Sequence, residues 1–132
     1  MMRFVDTRRA LAIHELQIAE HGGPSGICDL GLLESALSRP VNIAVYEHAA
    51  SEDVGLLGAA YLFGIAKNHP FVHGNKRTAL SVLGLFLAMN GYEIVASDET
   101  LFKAVFSVAD GGISENDFAH WLRENIEASK RP

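Results

Sequence analysis

Residues Asn68 to Leu80 read NHPFVHGNKRTAL. Within this stretch His69 precedes a proline, and Gly74 and Asn75 lead into two adjacent cations, Lys76 and Arg77. Histidine is the side chain whose ordinary pKa lets it take up a proton near neutrality. Arginine offers a planar fork to phosphate oxygens, and lysine a compact charge. Glycine lets a backbone approach a ligand closely. If a helix starts near Asn75, its free N–H groups and the positive end of its dipole join the two cations. Cations at that end are mildly unfavourable unless an anion sits against them. The set therefore fits a phosphate group held beside a base that deprotonates an incoming hydroxyl. His69 would be the base, Gly74, Asn75, Lys76 and Arg77 the phosphate contacts, and Phe71 the anchor that pins the loop to the core. Plainer readings stand beside this one: His69 as a helix-end residue, Asn75 as a cap, Lys76 and Arg77 as solvated charges. A zinc pair made of His69 and His73 finds no further close ligand in the sequence.

The elements that must position these residues are bounded by composition. The chain has 132 residues, 48% of them apolar, enough for one domain that buries about two-thirds of its unfolded surface. The formal net charge of −5 argues against a general nucleic-acid or membrane-surface binder, which needs a basic face. Cys28 is the sole cysteine, so an internal disulfide and a multi-cysteine zinc site are excluded. The opening MMRFVDTRRALAIHEL reaches charged residues at once and lacks the form of a signal peptide. No apolar run reaches the roughly 18 to 20 residues of a membrane span. A single soluble, cytoplasmic domain over residues 1–132 is expected.

Hydrophobic spacing predicts helices almost throughout. TRRALAIHELQIAEHGG carries Leu11, Ile13, Leu16 and Ile18 and is stopped by Gly22 and Gly23. DLGLLESALSRP is capped by Asp29 and expected to end before Pro40. VNIAVYEHAA reads as either a short helix or an irregular flap. Ser51 is expected to cap a long helix that His69-Pro70 ends. The next helix, about Asn75 to Asn90, is apolar nearly all round, which predicts burial on several sides and a place at the centre. YEIVAS reads as an extended link, and DETLFKAVFSVADGG and SENDFAHWLRENIEA as amphipathic helices. The sum is an all-α bundle of about six helices around a central buried helix.

At this point the residues resemble a known family. HPFVHGNKR is similar to the Fic/Doc signature, H-x-F-x-(D/E)-G-N-x-x-R in its adenylylating branch and H-x-F-x-x-(A/G)-N-K-R in the Doc branch. GICDLGLLESALSRP, AAYLFGIAKNHPF and FLAMNGYEI add to the likeness, which spans about Leu11 to Trp121. The resemblance implies an all-α fold and transfer of part of a nucleoside triphosphate to a protein hydroxyl. It assigns His69 as the base, Phe71 as the buried anchor, Gly74 and Asn75 to the anion hole, and Lys76 and Arg77 to phosphate. The adenylylating branch has a small residue where Lys76 stands and a second arginine where Leu80 stands, so phosphorylation from ATP is favoured over AMP transfer. Elongation factor Tu is the implied type of target. No S/T-x-x-x-E-(G/N) inhibitory motif is found, so the implied inhibitor is a separate Phd-like antitoxin. One residue departs from the pattern: the family's Asp or Glu contact to Mg²⁺ is replaced by His73, a poor ligand for a hard cation. A pseudoenzyme that keeps the nucleotide pocket or antitoxin groove is the alternative this departure raises.

Overall fold

Five of the six α-helices among the described residues start at a side chain that accepts a hydrogen bond from the helix's own first turn. The computed structural model describes residues 2–130. The caps are Asp6 for α1 (Thr7–His21), Asp29 for α2 (Leu30–Tyr46), Asp53 for α3 (Val54–Asn68), Ser97 for α5 (Asp98–Ala109) and Ser114 for α6 (Glu115–Glu124). Each satisfies an N–H that the helix itself cannot. The sixth, α4 (Asn75–Met89), begins at Gly74, which has no side chain to offer.

The bundle is arranged around α3. Eleven of its fifteen residues are buried, and it packs against α2, α4, α5 and α6. Small residues make this approach close. A Cβ at Gly58 would run into Leu83 and Leu122, and one at Gly64 would lie 3.0 Å from the Ala36 Cβ. The expectation that the helix after the histidine motif forms the centre is thus corrected. The central helix is the one before it, because α4 leaves one flank open at the site. Leu57, Leu62, Ile65, Leu83, Phe86, Phe118 and Leu122 are among the fully buried side chains of one contiguous core.

Three boundaries differ from the sequence reading. Helix α2 runs through Pro40 to Tyr46, followed by a 3₁₀ turn at His48–Ala50, where a stop before the proline and then either a short helix or a flap were expected. Pro40 donates no N–H to the Ala36 carbonyl, and that carbonyl faces Gly64 across the α2–α3 contact; burial of Pro40 against the core offsets the lost bond. The cap of α3 is Asp53 and not Ser51, whose hydroxyl turns back to the His48 carbonyl. The link after α4 is a short strand, β1 (Tyr92–Ile94), paired antiparallel with β2 (Ile126–Ala128), so α6 ends at Glu124 and not beyond it. No helix of the described residues is long and apolar enough to cross a membrane.

Candidate functional site

The loop between α3 and α4 is built by its own sequence. Helix α3 ends at His69, which adopts the left-handed conformation with φ 49° and ψ 55°. It is the sole non-glycine residue with positive φ among those described. A left-handed turn ends a helix sharply, yet L-residues adopt it at a cost of about 1–2 kcal/mol. The strain therefore sits on the candidate base, a common location for it. Gly74, at φ 81°, adopts the same left-handed conformation at the start of α4 without that cost.

Between these turns the loop is fastened from three sides. The Asn75 amide closes it from within: Oδ1 accepts from the Phe71 N–H and Nδ2 donates to the Phe71 carbonyl, both at 2.9 Å. This pairing fixes the amide's orientation, so its second N–H faces His69 Nδ1 at 3.4 Å. A contact of that length steadies the imidazole and gives way readily if Nδ1 carries the proton. The side chain of Asn75 is buried and committed to the loop, which leaves its backbone N–H at the uncapped end of α4.

The second fastening comes from residues 23–29. The Cys28 and Asp29 N–H groups donate to the Pro70 carbonyl, and the Val72 N–H donates to the Gly26 carbonyl. A Cβ at Gly23 would overlap the His73 ring, so that ring rests directly on the Gly23 backbone.

The third is His14, on the inward stripe Ala10, His14, Ile18 of α1. It is 2% exposed. Its ring stacks on Phe71, with centroids 3.9 Å apart and planes 7° from parallel, and its Nε2 lies 2.7 Å from the His73 carbonyl. A carbonyl only accepts, so Nε2 carries the proton there. The sequence reading did not single out His14. The available signal was a histidine in line with apolar residues at i, i+4 spacing.

These fastenings leave a groove of about 810 Å³. It is lined by His69, Val72, His73 and Gly74 of the loop, by Asn75, Lys76, Arg77, Leu80 and Ser81 of α4, and by Phe102, Val105 and Phe106 of α5. Gln17 and His21 of α1 complete it, with Gln17 Nε2 donating to Ser81 Oγ at 2.9 Å. Lys76 Nζ lies 4.9 Å from the centre of the Phe106 ring. Arg77 is exposed at the same helix end. The predicted residues His69, Gly74, Asn75, Lys76 and Arg77 thus meet in one cleft, whereas Phe71 lies beneath it at 2% exposure.

The electrostatics are one-sided. Two cations, an uncapped helix N-terminus and three imidazoles line the groove, and no carboxylate does. Among the described residues no cluster of three His, Cys, Asp or Glu side chains is placed to hold a metal. The donor set consequently suits a polyanion and does not fit Mg²⁺, which takes oxygen ligands.

A family model described as the Fic/DOC family matches residues 4–87. Over 122 residues the chain is 34% identical to "Protein kinase doc" of Escherichia phage P1, aligning 92% of this chain with 94% of that one. It is also 40% identical over 75 residues to "Toxin Doc" of Mycolicibacterium smegmatis, covering 57% of each chain. The protein belongs to the Fic/Doc family.

Proposed function

We propose that the protein is a Doc-like toxin that transfers the γ-phosphoryl group of ATP to a hydroxyl of a protein target, with a translation elongation factor as the expected target. The observation that carries this reading is the meeting of His69 with Lys76, Arg77 and the uncapped start of α4 in one groove free of carboxylates. The names of the two relatives, a protein kinase and a toxin, support it. In the proposed step the target oxygen forms a bond to the γ-phosphorus while the bond from that phosphorus to the β,γ-bridging oxygen breaks. ADP leaves, and His69 takes the hydroxyl proton. Lys76, Arg77 and the N–H groups of the first turn stabilise the charge on the phosphate oxygens. Magnesium belongs to the nucleotide as its counter-ion, and no side chain of the groove is assigned to it. A Phd-like antitoxin is the proposed inhibitor.

A second reading, a protein that binds nucleotide or antitoxin without turnover, is favoured by His73 standing where the family pattern has an acid. One experiment separates the readings. Purified protein is incubated with elongation factor Tu, or with a bacterial extract, and with γ-labelled or α-labelled ATP. Label from the γ-position on protein is the expected result, with His69→Ala lowering the rate about 10²- to 10⁴-fold. Label from the α-position would establish AMP transfer instead. No label from either, with ATP still bound, would establish the binding reading.

A further inference from the structure

The groove suits phosphate, yet it lacks the oxygen ligands that a hard cation needs. Mg²⁺ takes oxygen donors in a near-octahedral array, commonly one or two carboxylates beside the phosphates it accompanies. At position 73, where the family pattern has an acid, stands an imidazole, which suits softer metals. The backbone oxygen of that residue is engaged as well, because the His73 carbonyl accepts from His14 Nε2 at 2.7 Å. Of the side-chain oxygens that line the groove, Asn75 Oδ1 accepts from the Phe71 N–H and Ser81 Oγ accepts from Gln17 Nε2. The Gln17 amide oxygen is left, and it is neutral. Glu20 lies 3.9 Å from the His21 imidazole, but its side chain is 71% exposed and does not line the groove.

Hydrogen-bond donors and positive charge stand where those oxygens are missing. The His73 ring is fitted into the loop, resting on the backbone of Gly23 where a Cβ would overlap it. In either tautomer a neutral imidazole keeps one ring N–H to donate to a phosphate oxygen. His21 brings another imidazole to the groove, and Lys76, Arg77 and the uncapped start of α4 bring positive charge. A dication placed here would face that charge with no lining carboxylate to offset it.

We propose that the groove binds its nucleoside triphosphate free of divalent metal, with His73 donating to phosphate where the family pattern places the metal contact. The inference rests on the phosphate reading above and adds the form of the substrate that the site takes. Lys76, Arg77 and the imidazole N–H groups take the oxygens that magnesium holds on the triphosphate in solution. Protein and metal then compete for the same oxygens, so magnesium weakens binding instead of supporting it.

The test is calorimetric titration of the full chain with ATP, once in EDTA and once in excess Mg²⁺. The parent should bind metal-free ATP about 10- to 30-fold more tightly, the scale of about two unit charges near 4 Å in water. His73→Asp should reverse that order, since its carboxylate repels bare phosphate and offers an oxygen to the metal. His73→Gln keeps an N–H donor and should retain the parent's order. A parent that binds ATP more tightly in Mg²⁺, or equally in both conditions, would overturn the proposal whatever the variants do. An unchanged order in a folded His73→Asp protein would overturn the part given to His73. A parent that binds ATP in neither condition would remove the phosphate reading itself, an outcome distinct from the others.

Discussion

The imidazole of His14 lies flat on the ring of Phe71, 3.9 Å between centres, and the same imidazole holds the His73 carbonyl at 2.7 Å. One buried side chain of α1 therefore grips the loop both by its anchor and by its backbone, four residues after His69. Removing the whole ring should cost about 3 kcal/mol, as for other buried aromatic side chains. His14→Phe retains the stack but leaves the carbonyl unpaired, at about 1–3 kcal/mol. Urea unfolding should rank parent, His14→Phe and His14→Ala in that order. His14→Phe should also lower the transfer rate at saturating ATP while the fold persists. Parent-like turnover in a folded His14→Phe protein would confine His14 to a packing role.

His69 is at once the candidate base and the strained helix cap. Glycine adopts its left-handed conformation freely, and alanine does not. Both His69→Gly and His69→Ala should lose transfer, yet His69→Gly should be the more stable of the two by about 1 kcal/mol. Equal unfolding midpoints would show that the φ of 49° relaxes when the side chain is lost.

Lys76 and Arg77 differ in what they give up on replacement. Arg77 is exposed and has no ion pair among the described residues. It sits at the positive end of α4, so Arg77→Gln should raise ligand-free stability by about 0.3–1 kcal/mol. Lys76→Gln relieves the same repulsion but loses the contact with Phe106, worth about 0.5–1 kcal/mol at an exposed site, so its net effect should be near zero. Both should weaken ATP binding. Thermal melts with and without ATP check the two halves together, and identical melts for both variants would discount the Phe106 contact.

Asp53 carries the pH dependence that the geometry makes readable. Its carboxylate caps α3 through the Leu56 N–H at 3.0 Å and accepts from Arg123 Nη2 at 2.7 Å and Nε at 3.2 Å. Burial pushes its pKa up, but the Arg123 guanidinium and the cap N–H groups outweigh burial and hold it below the ordinary value of 3.8. The folded state thus binds this proton more weakly than the unfolded chain. The associated stability is complete above the unfolded pKa and is lost as pH falls through the folded one. Asp53→Asn keeps a capping oxygen and loses the charge. It should cost about 1 kcal/mol at pH 7, and the gap to the parent should close as pH drops below about 4. A gap of constant size in urea titrations across that range would place the cost in the cap alone.

The elements that hold the site were legible where local chemistry is decisive. Gly74 followed by Asn75 marks the start of α4, and Asn68-His69-Pro70 marks the end of α3, because a left-handed turn and a proline are local requirements. What escaped is non-local. Pro40 looks like a stop, yet α2 continues through it because neighbouring helices bury that turn. Strand β2 is three residues long and exists by pairing with β1, some thirty residues earlier in the chain. Leu16 belongs to the apolar count of α1 but is 67% exposed, while His14, a polar residue, is 2% exposed. Apolar spacing predicted the helix but not which of its residues face inward. At the site, residue types predicted the cleft but not the duties within it. Asn75 spends its side chain on the loop, a role visible only once Phe71 lies opposite it.

Asn90, at the far end of α4, exchanges two hydrogen bonds with the backbone of Arg3, and the Ser129 N–H donates to the Gly91 carbonyl. The earliest and latest described stretches are therefore tied to the same turn. Fifteen residues of helix separate that turn from Gly74 and the His69 loop, about 22 Å at 1.5 Å per residue. A fluorophore, an affinity handle or a fused partner attached beside residue 3 or residue 129 would be tethered at the pole opposite the cleft. The protein is accordingly suited to surface immobilisation by either stretch, with the His69 loop at the distal end of α4.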